Sequence, residues 1–248
     1  MSRQLRMGLF GVSAAGFAAV LVWGMTGLPA FGDFDGEYGK LLAQSGIPQR
    51  SVGEIVAATV FDYRGFDTLG EEFILFCAVV GATVLIRVHR AEGELPPGPA
   101  EELAPPSEGM RVLVGALAAP VLVLGIYIVA HGHLTPGGGF QGGIVLVAAF
   151  LLIYLAGRRL TPHTHRPLAA AEFLEGLGAA GFALVGLAGL IIAGTYLENF
   201  LPFGTFGQLL SGGQIPLSNV VVALEIMGAV LVVIAEFLDQ RLLSSESR

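Results

Sequence analysis

Asp62, Arg64, Asp67, Glu71 and Glu72 place five ionisable side chains within eleven residues of "FDYRGFDTLGEE". Beside a membrane entry such groups need partners or water. Facing a hydrated cavity, they could bind a cation or relay a proton. The local alternative pairs Arg64 with Asp62 or Asp67, uses the glutamates as helix caps, and leaves all five wet. Glu225 stands alone deep in an apolar run, where an acid faces a partner helix or a cavity. It serves either an ion or proton path or a structural hydrogen bond. Glu236, eleven residues on, shares its helix face and is expected to be wet. Glu172 and Glu175 are expected in the first turns of a span, where the helix dipole favours acids.

Classical enzyme chemistry is unsupported. There is no HExxH, no paired CxxC and no nucleophile elbow, and no cofactor is expected. His131 and His133 are two residues apart with no cysteine or carboxylate nearby, so no metal site is expected there. Either histidine suits a hydrogen bond to a neighbour or a proton relay. The single cysteine, Cys77, cannot form an intrachain disulfide and reads as a small core residue.

The elements that carry these groups belong in a membrane. Of 248 residues, 54% are hydrophobic and only 13% charged, about half the charged share of a soluble domain. The net charge of -7 offers no basic patch for nucleic acid. The expected fold is all-α and integral to the membrane. It has about six transmembrane helices plus one short re-entrant or interfacial helix. The spans fall near residues 7–28, 69–88, 111–130, a fourth ending near Gly157, 176–196 and 217–238. The first is read as a retained helix rather than a signal peptide, because its apolar run is long and no clear cleavage site follows. Ser51 with Glu54, and Thr68 with Glu71, have the spacing of capping boxes. The first would start a helix at Val52 that is too short to span; the second would start the second span.

"HGHLTPGGGFQGGIV", residues 131–145, decides the fourth span. Gly137, Gly139 and Gly142 formally match a dinucleotide fingerprint, but no acid occurs in residues 143–171. No lysine follows for a P-loop. If all of residues 131–143 were loop, the remaining helix would be roughly 21 Å long, short of a ~30 Å core. A start at Pro136, with Thr135 as N-cap, restores the length. Gly138 with Gly142, and Gly139 with Gly143, then give a flat face for a closely packed backbone.

Six spans put both termini on one side. That side carries ten of the thirteen Lys and Arg residues, which makes it the cytoplasm and the membrane the cytoplasmic one. Residues 1–90 form a first module with two spans. Residues 91–109 lie in a proline-rich acidic linker, 110–240 form a second module with four spans, and 241–248 a cytoplasmic tail. His163 and His165 fall in a basic cytoplasmic loop and are expected to be solvated.

"GHLTPGGGFQGGIV" and "LLSGGQIPLSNVVVALEIMGAVLVVIAEF" resemble the MnhB domain, which forms one of the smaller subunits of Mrp-type multisubunit Na+/H+ antiporters. "GLPAFGD" and "VFDYRGFDTLGEE" resemble the MbhE-like segment. That segment ends the largest subunit of those antiporters, or forms a small subunit of membrane-bound hydrogenases. The chain thus resembles a fusion of the two, covered almost throughout. The resemblance implies a component of an antiporter, with other subunits, lipid, Na+ and H+ as partners. It implies Asp62, Arg64, Asp67 and Glu71 as the matching charged motif near a proposed sodium path. The lysine-bearing channels of that family lie in larger subunits, and the single lysine here, Lys40, is outside the spans. A subunit of a redox-driven complex and a scaffold with no ion contact remain the alternatives.

Overall fold

The computed structural model describes residues 3–28, 32, 36–92, 106–156 and 166–245. Most of the linker, His163, His165 and the last three residues lie outside them. The chain divides into two compact units, Met1–Leu41 and Leu42–Arg248.

The first unit contains α1 (Arg3–Thr26), apolar and exposed along its described length, which suits lipid or a neighbouring protein. A second helix, α2 (Glu37–Arg50), was not expected, and the division between the two units falls within it. Its acidic first turn and basic last turn complement the helix dipole.

In the second unit, α3 (Ile55–Ala58) runs into a π-helical turn (Thr59–Tyr63). The expected capping boxes are not used. Ser51 takes a left-handed φ of 54°, and Glu54 itself caps α3 by accepting from the Val56 N–H at 3.0 Å. Thr68 lies inside α4 (Gly65–Glu92), and its hydroxyl donates to the Val60 carbonyl at 2.6 Å. That bond ties the π turn to α4.

The remaining helices are α5 (Glu108–Ala130), α6 (Gly139–Leu155), α7 (Arg166–Ile192) and α8 (Ile215–Ser245). Helices α1, α4, α5, α7 and α8 are long and apolar enough to cross a membrane. The 17-residue α6 is apolar but shorter, roughly 25 Å at ~1.5 Å per residue. The expected start of this helix at Pro136 is wrong. Gly137 and Gly138 have φ of 154° and 119°, which no helix accommodates, so α6 begins at Gly139. Its first N–H is capped from another helix: Gly139 donates to Asn219 Oδ1 of α8 at 2.8 Å, a fully buried bond. Asn219 Nδ2 in turn donates to the Ile215 carbonyl. Asn219→Ala strands a buried donor and is expected to cost about 1–3 kcal/mol, read as a lowered thermal midpoint of the purified protein.

The glycines pack closely, but against two helices rather than one flat face. A Cβ on Gly139 would come within 2.6 Å of the Asn219 carbonyl, and one on Gly143 within 3.1 Å of the Ala223 carbonyl, both on α8. A Cβ on Gly142 would strike Val129 of α5 and lie 3.2 Å from the Gly125 carbonyl. These contacts set directions. Positions 139 and 143 meet 219 and 223, so α6 runs parallel to α8. The Gly138 N–H meets the Ile128 carbonyl, and position 142 meets 125 and 129, so α5 and α6 are antiparallel. Helix α8 is the hub, packed against α4, α5, α6 and α7.

Candidate functional site

Three non-helical stretches knit together where α4, α6 and α8 begin: residues 51–54 before α3, the 131–138 turn and residues 193–214. The N–H groups of Gly53 and Glu54 donate to the His133 carbonyl at 3.1 and 3.2 Å. Gln214 Nε2 donates to the Leu197 carbonyl at 3.0 Å. Asp62 is bound into this cap rather than paired with Arg64. Arg50 Nε meets its Oδ1 at 2.9 Å, and Asn199 Nδ2 donates to its Oδ2 at 2.9 Å. Arg50 also stacks over Tyr63 and Phe203. Asp62 therefore reads as a structural anchor. Arg64 pairs with Asp67 instead, and both side chains are about half exposed. Glu71 is exposed too.

His131 stacks on Tyr127, and its Nδ1 lies 3.1 Å from the Tyr127 carbonyl one turn back. His133 is fully buried. Burial holds its imidazole below the ordinary range, against the pull of the facing Gln208 and Leu209 carbonyls and with a push from His131. Neither ring nitrogen makes a well-formed hydrogen bond to protein.

Below the cap, the structure brings together two candidates that lie far apart in sequence. Glu72 of α4 and Glu225 of α8 are buried, at 1% and 0% exposure, and their carboxyl groups face each other. None of their four carboxyl oxygens has a well-aligned hydrogen bond. Glu175 of α7 is the residue that sequence reasoning misplaced. It lies nine residues into its helix, not in the first turns, and is buried at 4%. It feels the charge of Glu225. Glu236 is buried at 1%, not wet. Cys77 is exposed rather than in the core.

A repeated pattern explains how carboxylates enter this interface. "EGLG" of α7 and "EIMG" of α8 both read Glu-x-x-Gly. A Cβ on Gly178 would lie 2.6 Å from Glu225 Cα; one on Gly228 would lie 2.9 Å from Glu175 Cα. Each glutamate thus stands on the other helix's glycine where antiparallel α7 and α8 cross. Close backbone approach of this kind needs small residues. The spacing was visible in sequence as a matched pair and was the missed signal.

The result is a stepped carboxyl series within one helical interface. At ~1.5 Å per residue, Glu72 lies about 10 Å from the start of α4, and Glu225 about 15 Å from the start of α8. Glu175, beside Gly228, is about a turn deeper. Below lies an apolar layer of Val79, Ala171, Ala229 and Val232, and beyond it Glu236. The groove of about 740 Å³ between α5 and α6, lined by Arg111, Ala118, Phe150 and others, contains none of these carboxylates.

Residues 109–232 match the family model of a domain related to the MnhB subunit of Na+/H+ antiporter. An uncharacterized protein of Methanocaldococcus jannaschii is 36% identical over 195 residues, covering 69% of this chain and 72% of that one. A chain of the membrane-bound sulfane sulfur reductase, an archaeal respiratory membrane complex, aligns with TM-score 0.68 and 29% identity. That alignment covers 94% of this chain and 98% of the other. A chain of the Mrp complex from Dietzia sp. DQ12-45-1b shares the fold at TM-score 0.63 and 22% identity; this chain, 95% covered, spans 26% of it. The chain is a multi-pass, all-α membrane protein, and it belongs to the family of domains related to the MnhB subunit of Na+/H+ antiporter.

Proposed function

We propose that this chain is a membrane subunit of a multisubunit monovalent cation/proton antiporter, and that Glu72, Glu225 and Glu175 form its ion- or proton-exchanging site. The observation that carries the reading is the facing pair of fully buried carboxyl groups on α4 and α8, each the other's partner. Buried acids inside a membrane bundle mark ion or proton paths. Two such groups can face one another when they share a proton or bind a cation between them. Among the expected motif residues, Asp62 anchors the cap, while Arg64, Asp67 and Glu71 are exposed and available to a neighbouring protein of the assembly.

The partners are the other subunits of such an assembly, lipid, and the exchanged cation and proton. Residues 1–90 and 110–240 act as two joined modules in the cytoplasmic membrane, with both termini cytoplasmic. A second reading, an ion-translocating subunit of a redox-driven complex, draws on the end-to-end alignment with the sulfane sulfur reductase chain. Reconstitution separates the two. The assembly purified through a tag on this chain is placed in liposomes and given a Na+ gradient. Internal pH then changes without any electron donor if the antiporter reading holds. Proton movement that requires an electron donor would overturn it in favour of the redox complex.

A further inference from the structure

We propose that the groove between α5 and α6 seats one hydrocarbon tail of an anionic phospholipid, with the headgroup phosphate held by Arg111. The inference does not depend on the carboxyl cluster, no member of which borders this groove.

The groove exists because α5 and α6 touch at one end and part at the other. On the cap side the two backbones are in contact. A Cβ on Gly125 would lie 3.1 Å from the Leu146 nitrogen, and one on Gly142 would lie 3.2 Å from the Gly125 carbonyl. Ala118 stands close to two whole turns before Gly125, on the same face of α5. At that level the helices have separated, and Ala118 looks across an open space of about 740 Å³ to Phe150 and Ile153 of α6. Gly115 is also in the wall, and a Cβ added there would meet nothing within 4 Å. Pro120 lies between the two levels, where a proline interrupts the helical hydrogen-bond ladder.

Its depth suits a lipid tail. From Arg111 to Leu122 the α5 wall is eleven residues long, roughly 16 Å along the axis. That is about half of a ~30 Å hydrocarbon core, the depth of one leaflet. The floor is Leu146 seated on Gly125. A spanning helix of a neighbouring protein runs past such a floor into the other leaflet, whereas a lipid tail stops at it. The volume falls within the roughly 300–1,000 Å³ usual for a small-molecule site, and the walls beyond Arg111 are apolar.

The charge at the mouth selects the headgroup. Arg111 is the charged residue of the lining, and it lies in the first turn of α5. The helix dipole disfavours a cation there, so its own helix does not account for it. The ion pairs among the described residues are Arg50–Asp62 and Arg64–Asp67, which leaves Arg111 unpaired although Glu108 shares its turn. A guanidinium fork matches two phosphate oxygens at once. Arg111 belongs to the side that carries ten of the thirteen Lys and Arg residues. The cytoplasmic leaflet is the anionic one, and basic pockets between transmembrane helices on that side bind its headgroups.

Photolabelling of the intact assembly tests this. The assembly is placed in phosphatidylcholine vesicles with a trace of phosphatidylglycerol, or of phosphatidylcholine, whose tail carries a mid-chain diazirine. After illumination, cross-linked peptides of this chain are quantified by mass spectrometry. Labels are expected on Ala118, Leu122, Phe150 or Ile153, at least about fivefold denser with phosphatidylglycerol. Arg111→Gln is expected to bring the two lipids level. Gly115→Leu places a side chain in open space, so the fold is kept while labelling by both lipids falls. Equal labelling by the two lipids in the unsubstituted assembly would overturn the proposal, as would a preference that survives Arg111→Gln. Absence of label from the groove, the result when a neighbouring protein fills it, also overturns it. None of these readouts uses ion exchange, so the exchange reading stands or falls separately.

Discussion

Gly178→Leu is expected to abolish the folded subunit rather than weaken it. A Cβ at this position already lies 2.6 Å from Glu225 Cα, and the obstacle is helix backbone, which no rotamer change can move. Overpacking a core normally costs about 1–3 kcal/mol. Here the substitution must separate α7 from α8, the pair on which the rest of the bundle is built. The separation also unseats Glu225 and Glu175 together, because each stands on the other helix's glycine. Gly176→Leu is the matched control, since a Cβ there meets nothing within 4 Å. The measurement is the yield of monodisperse assembly from membranes. Gly178→Leu is expected to yield none and Gly176→Leu a normal amount; equal yields would show that the crossing is not built on these glycines.

Glu225→Gln has the second large effect, and it is functional. Glutamine has nearly the shape of protonated glutamic acid, so the packing around Gly178 survives. What disappears is the ability to release a proton or hold a cation. Glu225 is the fully buried acid that faces Glu72 and whose charge reaches Glu175. Removing a proton-exchanging group typically costs on the order of a hundredfold or more in rate. Glu71→Gln, on the exposed side of α4, is expected to leave the chain's own fold and carboxyl cluster intact.

Much of the fold was legible because membrane thickness and hydropathy leave few choices. The long spans appear within a few residues of their expected places, except the fifth, which begins well before its expected start. What failed was local. Pro136 and Thr135 looked like a helix start because helix length was judged against the membrane. The two glycines after them have left-handed backbones instead, and the cap arrives from Asn219, eighty residues away. No local pattern announces a cap from so distant a residue. Asp62 was visible as a charged candidate, but its partner Arg50 lies across a turn from it, beyond the i,i+4 reach of pattern reading. Glu72 was singled out within a cluster of five ionisable residues and Glu225 as an isolated acid; their meeting depends on α4 packing on α8, which hydropathy cannot specify. Glu175 was assigned a cap role because its helix was expected to start ten residues later than it does. The Glu-x-x-Gly pair was present in both helices, and it became meaningful only when the two were seen to cross there.

The central claim is that the Glu72–Glu225–Glu175 cluster exchanges the ion or proton. Its most direct test is cation-driven pH change in liposomes containing the complete assembly with Glu225→Gln, at matched protein content. A loss of about a hundredfold in exchange rate with unchanged assembly is the predicted result. Exchange at the unsubstituted rate in the same assembled complex would contradict the claim and leave the cluster a structural feature of the bundle.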